Sequence, residues 1–195
     1  MVEIVSPLEP AYRRGAHGNR DGGSRITLSE TQPGSIVQLA AWPGQEDAMR
    51  AVVKTVTGLD VGATPGAGAV DESSAAFGFA PGRWLVVDQA EGVGQTFREK
   101  VSPDVGTVCD LSHGRTAIAV EGEKAERLLS KFYALDFSLA AFPVGQAKST
   151  AHHDVFTLIQ RTGADRFDLY VYRSFARSFW HLLCASAEEF GYTVE

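Results

Sequence analysis

The sequence nearly repeats itself, and that repetition limits the folds open to it more than any single motif does. A short apolar run followed by an amphipathic segment, Leu39 to Asp60, ends Gly58-Leu59-Asp60; it returns as Ile118 to Asp136, ending Ala134-Leu135-Asp136. The strand-like Arg83-Trp84-Leu85-Val86-Val87, running into a helix-like Glu91 to Val101, returns as Arg166-Phe167-Asp168-Leu169-Tyr170-Val171, running into Ser174 to Cys184. The two copies stand 76 to 83 residues apart and share few identities. A pattern that recurs without identity implies duplicated halves with one shared fold, and leaves the chemistry open.

A chain of 195 residues accommodates two such halves on one scaffold. Hydrophobic residues at 44% and charged residues at 22% imply a packed core rather than a disordered chain. The net charge of -6 argues against nonspecific nucleic-acid binding, which needs clustered Lys and Arg to neutralise phosphates. No apolar run is long enough to span a membrane, and Met1 to Pro7 lacks the charge and hydropathy pattern of a signal peptide, so a cytoplasmic protein is expected. Cys109 and Cys184 have no metal-type spacing and are expected to be reduced, buried and apolar in character.

Residues 1–24 read as a flexible N-terminal arm, because Tyr12 to Arg25 offers almost nothing apolar to offset the entropy of ordering. Its arginines, Arg13, Arg14 and Arg20 among them, suit an acidic groove on a partner. Residues 25–112 then read as a first β-α-β-β-α-β half. Its strands are Arg25–Glu30, Ile36–Ala41, Ala76–Phe79, Arg83–Val87 and Gly106–Leu111, and its helices Gln45–Thr57 and Glu91–Ser102. Gly58 ends the first helix, and the Gly-, Ala- and Ser-rich stretch Asp60 to Ala75 reads as a loop. Residues 113–195 form the second half, with strands Thr116–Glu121, Gln146–Ala151, Val155–Arg161 and Phe167–Val171, a helix Glu123–Tyr133 and a last helix Ser174–Phe190 that Ser174 would cap. The expected class is α+β, built as two fused ferredoxin-like halves.

Candidate chemistry is sparse. Asp110, Ser112 and His113 carry the residue types of a hydrolase triad, but neighbours on a strand point to opposite faces, so His113 is poorly placed to take a proton from Ser112. His152-His153-Asp154 contains metal-ligand types, yet on a strand only His152 and Asp154 share a face, which leaves a metal-dependent hydrolase without a third ligand. The glycines of Gly62 to Gly68 lack the Gly-Lys-Ser/Thr ending of a phosphate loop. No catalytic residue and no metal site is expected. Arg173, Arg177 and His181 recur every fourth residue and form one stripe along the start of the last helix, either solvated or docking an acidic partner or a carboxylate-bearing ligand; Trp180, between that stripe and the apolar face, would anchor an interface if exposed.

Two segments point further. Cys109-Asp110-Leu111-Ser112-His113-Gly114-Arg115 with Val120-Glu121-Gly122-Glu123-Lys124-Ala125-Glu126-Arg127-Leu128-Leu129 resembles the Asp-Leu-Ser-His strand and following helix of the glycine-cleavage aminomethyltransferases, and so their folate-binding fold. The set Ile26 to Glu30, Val37 to Leu39, Gly82 to Val87, Asp110 to Arg115 and Phe167 to Trp180 resembles the gamma-subunit family of heterotetrameric sarcosine oxidases, over about Arg25 to Gly191. That resemblance implies alpha, beta and delta subunits as partners, in a complex that oxidatively demethylates sarcosine to glycine. It also implies that the FAD, FMN, NAD and tetrahydrofolate sites lie in other subunits, with no cofactor bound here. Where an aminomethyltransferase has paired aspartates, this chain has Thr150-Ala151-His152-His153-Asp154-Val155, so Asp154 is the one folate candidate. The sequence therefore reads first as a noncatalytic assembly subunit, and second as a stand-alone folate-binding or aminomethyltransferase-like protein.

Overall fold

The computed structural model describes residues 5–19 and 25–195. Alternation in the strands determines the layering. In β3 (Ser35–Ala41) and β6 (Arg83–Asp88), Val37, Leu39, Trp84 and Val86 point to one side and Ile36, Leu85 and Val87 to the other. The first set packs on Met49 and Val53 of α1 (Glu46–Thr57) and Phe97 of α2 (Val93–Lys100). Gly58 closes α1 as expected, in the left-handed conformation (φ 77°) with its N–H on the Lys54 carbonyl. Together with β4 (Gly68–Val70), β5 (Ser74–Ala80) and β7 (Gly106–Asp110) these strands form a five-stranded sheet in the order β4-β5-β6-β3-β7.

The other sheet has seven strands. β8 (Arg115–Glu121), β9 (Ala147–His152), β10 (Val155–Gly163) and β11 (Arg166–Tyr172) are joined by β1 (Gly15–His17), β2 (Ile26–Thr31) and β12 (Tyr192–Val194) in the order β1-β12-β2-β8-β11-β10-β9. Ile118, Val120, Ile159, Phe167 and Leu169 pack outward against α3 (Ala125–Leu129) and Phe179 and Leu183 of α4 (Ala176–Ala187). Ala117, Leu158 and Tyr170 point inward and meet Ile36, Phe77, Leu85 and Val87 of the five-stranded sheet. The result is four layers, helices outside and two sheets face to face.

Several expectations need correction. β2 is a strand, as read, but it lies between β12 and β8 in the second sheet, so the boundary between residues 25–112 and 113–195 does not separate the sheets. The described part of the arm is not free: Leu8 is fully buried, Tyr12 stacks on Trp180 with ring centroids 5.0 Å apart, and β1 adds a strand to the edge of β12. The arm's polarity concealed this because Leu8 precedes the polar stretch and the ladder is made by backbone groups. The stretch Asp60 to Ala75 is not all loop, since β4 pairs with β5. The third helix is only Ala125–Leu129, and the last begins as a 3-10 turn at Arg173–Phe175 without a Ser174 side-chain cap. Cys109 is exposed rather than buried, while Cys184 is half-buried and burial raises its thiol pKa. Among the described residues, no helix is long and apolar enough to cross a membrane.

Candidate functional site

The turn between β7 and β8 is where the two sheets are tied together, and its polar residues explain one another. Asp110 Oδ1 accepts the Ser112 N–H at 3.0 Å and the Ser112 hydroxyl at 2.6 Å. Ser112 Oγ in turn accepts the Ile36 N–H at 3.0 Å, while Leu111 donates to the Ile36 carbonyl at 2.7 Å. The Asp110 carboxylate also lies against the first turn of α2. A Cβ on Gly94 would come within 2.9 Å of Asp110 Oδ2, so the glycine lets the carboxylate approach this closely, and the negative charge sits at the favourable end of the helix. Burial raises the Asp110 pKa, but the Ser112 hydrogen bonds and the charges of Arg98 and His113 outweigh it and hold the carboxyl below its ordinary value. Ser112 thus gives its proton to Asp110 and not to His113. The arrangement is a junction between sheets and lacks the base contact a nucleophile needs.

A cavity of about 400 Å³ opens beside this junction, where Arg115, Thr116 and Arg173 meet the link between β2 and β3 and residues Val5 to Pro7. Arg115 is buried, donates to the Tyr170 carbonyl at 3.1 Å and lies 4.4 Å from the centre of the Tyr172 ring. Arg173 is fixed at the cavity mouth: its backbone N–H donates to the Gly114 carbonyl at 3.0 Å and its guanidinium to the Val5 carbonyl.

The expected partner-binding residues separate into distinct places. Arg13, Trp180 and His181 come together around a second cavity of about 240 Å³, between residues 11–17 and α4. Trp180, at 1% exposed, is filled in by Tyr12 and is no surface anchor; its position on the apolar side of α4 buries it. Arg14 leans on the Tyr12 ring at 5.7 Å, Arg177 and His181 are exposed on α4, and Arg20 lies outside the described residues. Arg173 does not continue the stripe as a free cation, because it holds the N-terminal segment.

Asp154 is exposed at the tip of the β9–β10 hairpin, beside His153, whose φ is 49°. His152 turns away and donates from Nδ1 to the Phe132 carbonyl at 3.0 Å. Among the described residues no three His, Cys, Asp or Glu side chains are grouped to hold a metal ion. The space between the sheets is filled by Phe77, Leu85, Leu158 and Tyr170. Asp154, the one folate contact expected, is exposed to solvent at this turn and lines neither of the two cavities described above.

One buried group escaped the sequence. Arg161, 1% exposed, donates to the carbonyls of Phe137, Phe142, Gly163 and Ala164 and pairs with Glu126 at 2.6 Å, so it fastens the loop after α3 to β10. Its signal was present: Arg161 shares a strand face with the apolar Ile159.

With this geometry in place, the comparisons with known proteins are decisive about kinship. Residues 43–189 match the family described as sarcosine oxidase, gamma subunit family. The chain belongs to that family. The sarcosine oxidase subunit gamma of Corynebacterium sp. (strain U-96) is 27% identical over 171 residues, which is 87% of this chain and 82% of that protein. A chain of the heterotetrameric sarcosine oxidase from Corynebacterium sp. U-96, solved in complex with pyrrole 2-carboxylate, superposes with a TM-score of 0.83 at 25% identity, covering 96% of both chains. The glycine cleavage system aminomethyltransferase T from Bartonella henselae superposes with a TM-score of 0.62 at 15% identity, over 96% of this chain and 56% of that one. This gamma-family chain thus has an α+β fold related to the folate-binding fold of the aminomethyltransferases.

Proposed function

We propose that this chain is the gamma subunit of a heterotetrameric sarcosine oxidase, an assembly subunit without catalytic residues of its own. The observation that carries this is the likeness to a chain of the heterotetrameric enzyme across 96% of both. The junction chemistry supports it: Asp110 and Ser112, the residues that look most like a reaction centre, are committed to joining β3, β7 and α2. Alpha, beta and delta subunits are the proposed partners, and FAD, FMN, NAD and tetrahydrofolate are proposed to bind outside this chain. Assembly takes place in the cytoplasm in this proposal.

The strand orders support a finer reading of the fold. The order β7-β3-β6-β5 is that of a ferredoxin-like unit, extended by β4. The second unit follows the same path through β8, β10, β11 and β12, with β2 inserted between β12 and β8. Arg13, Arg14, Arg177 and His181 remain proposed contacts for acidic surfaces of the partners; a partner contact for Arg20 is proposed from the sequence alone.

Coexpression with the alpha, beta and delta subunits, purified through a tag on this chain, tests the assembly role. A yellow complex holding one copy of this chain by native mass spectrometry is expected, with no turnover of sarcosine by the chain alone. A fully active complex of normal stability formed without this chain overturns the proposal. The alternative of a stand-alone folate binder predicts calorimetric heat on titration with tetrahydrofolate that Asp154→Ala removes; none is expected.

A further inference from the structure

A third cavity, of about 240 Å³, lies between the sheets, where the turn from β4 to β5 faces β10 and β11. Val70, Ala75 and Val87 give it an apolar wall from the five-stranded sheet. The opposite wall carries Asp168 and Tyr170 of β11, because alternation sends Phe167, Leu169 and Val171 to the outer core. Tyr170 is 2% exposed, yet its hydroxyl has no hydrogen-bond partner among the described residues; its one hydrogen bond outside the sheet ladder is made by the carbonyl, to Arg115. Burial and then the Asp168 charge raise the phenol pKa well above 10 against the opposing charge of Arg166. The hydroxyl therefore stays protonated, on the charged side of the cavity. Buried polar groups are normally satisfied, so a vacant hydroxyl facing a cavity points to something that fills it.

The charges around that hydroxyl are out of balance. The Asp168 side chain is 13% exposed, and the cation beside it is shared: Arg166 reaches Asp168 Oδ1 at 3.4 Å from Nη2 and Glu121 at 3.1 Å from Nη1. Burial outweighs Arg166 and keeps the Asp168 pKa raised. The turn from β4 to β5 adds two more acids. Asp71 Oδ1 is taken by the Ser73 and Ser74 N–H groups at 2.8 and 2.7 Å, and Glu72 is exposed at the rim. Three carboxylates thus line the cavity with one guanidinium, itself divided between Asp168 and Glu121. What the cavity lacks is a cationic donor. Among the described residues no three His, Cys, Asp or Glu side chains are grouped as metal ligands, which favours an organic cation over a metal ion.

We propose that this cavity binds a primary alkylammonium group, which donates to the Asp168 carboxylate and to the Tyr170 hydroxyl oxygen while its alkyl chain lies along Val70, Ala75 and Val87. A free amine of a few carbons and the lysine side chain of a neighbouring subunit present the same chemistry, a charged head on an apolar stem. The inference stands apart from the assembly reading, because its first measurement needs this chain alone; only the choice of a partner's lysine as the source rests on that reading.

The test titrates the full-length ¹⁵N-labelled chain with butylammonium chloride, and with potassium chloride at equal ionic strength, following the amides of Val70, Asp168 and Tyr170. A saturable shift is expected with butylammonium alone. Asp168→Asn and Tyr170→Phe should each weaken it by about tenfold or more, as loss of a hydrogen bond to a charged group does. Both changes are nearly isosteric, and wild-type amide dispersion with an unchanged urea midpoint in Tyr170→Phe separates a lost ligand contact from a damaged fold. A second arm measures the affinity of the same variants for the alpha, beta and delta subunits. Weaker assembly by both variants, with butylammonium competing in wild type, assigns the ammonium group to a partner's lysine; unchanged assembly beside a butylammonium shift assigns it to a free amine. No saturable shift with butylammonium, or the same shift with potassium chloride, together with unchanged assembly, overturns the site.

Discussion

Asp168 shows how a single side chain can set the pH response of the fold. It lies on β11 with its side chain 13% exposed and Arg166 at 3.4 Å. Burial raises its pKa above the ordinary value of 3.8, and the Arg166 charge offsets that only in part. Because the folded-state pKa is raised, the protonated form is the one the fold favours. The contribution of Asp168 is therefore fully present below pH 3.8 and is lost as pH rises through the folded-state value. Asp168→Asn should match wild type in strong acid and become the more stable of the two toward neutral pH, as urea midpoints across that range will show. Arg161 predicts the opposite sign. Arg161→Met leaves the buried carbonyls of Phe137 and Phe142 without their donor and should cost about 3–5 kcal/mol in urea denaturation. Residues of this kind were hard to read from sequence. The Asp110 to Arg115 motif was visible, but its roles were not, since the group that claims Ser112 is a backbone N–H at Ile36, 76 residues away.

Legibility at the level of elements followed how much of each element's stability is local. Helices α1 and α2 and strands β10 and β11 carry their own apolar periodicity and were readable at close to their observed bounds. The three-residue strands β1, β4 and β12 carry almost none and exist because a distant backbone pairs with them. β2 falls between these cases: Ile26 and Leu28 alternate as a strand should, which shows that one face is buried and says nothing about which sheet it joins. The N-terminal segment depends on the same kind of remote anchoring. Leu8 is buried among the core side chains outside the seven-stranded sheet, and Tyr12 donates to the Glu195 carbonyl while accepting the Glu30 N–H at 2.9 Å. Leu8→Ala should cost about 2–5 kcal/mol and speed amide exchange in β1 and β12. Exchange confined to wild-type rates in both strands would show that the segment is held by its backbone ladder alone.

At the scale of the whole molecule, β2 ties residues on both sides of residue 112 into one sheet, so residues 25–112 and 113–195 are expected to fold together. β12 pairs with β2 in parallel and β2 pairs with β8 in antiparallel fashion, so β12 and β8 are not neighbours without it. The inner face of the seven-stranded sheet, with Ala117, Leu158 and Tyr170, is covered by the sheet that residues 35–110 build. A fragment of residues 113–195 would therefore have open edges on β8 and β12, lose Ile26 and Leu28 from its outer core, and present an apolar inner face to water. Such a fragment should give a poorly dispersed amide spectrum although it holds β8 to β12, α3 and α4. The intact chain should unfold in one transition, with calorimetric and van't Hoff enthalpies equal. Two separated transitions, or a well-dispersed fragment, would mean that residues 113–195 fold without the rest of the chain. The strand crossing predicts instead that residues 25–112 and 113–195 each depend on the other to fold.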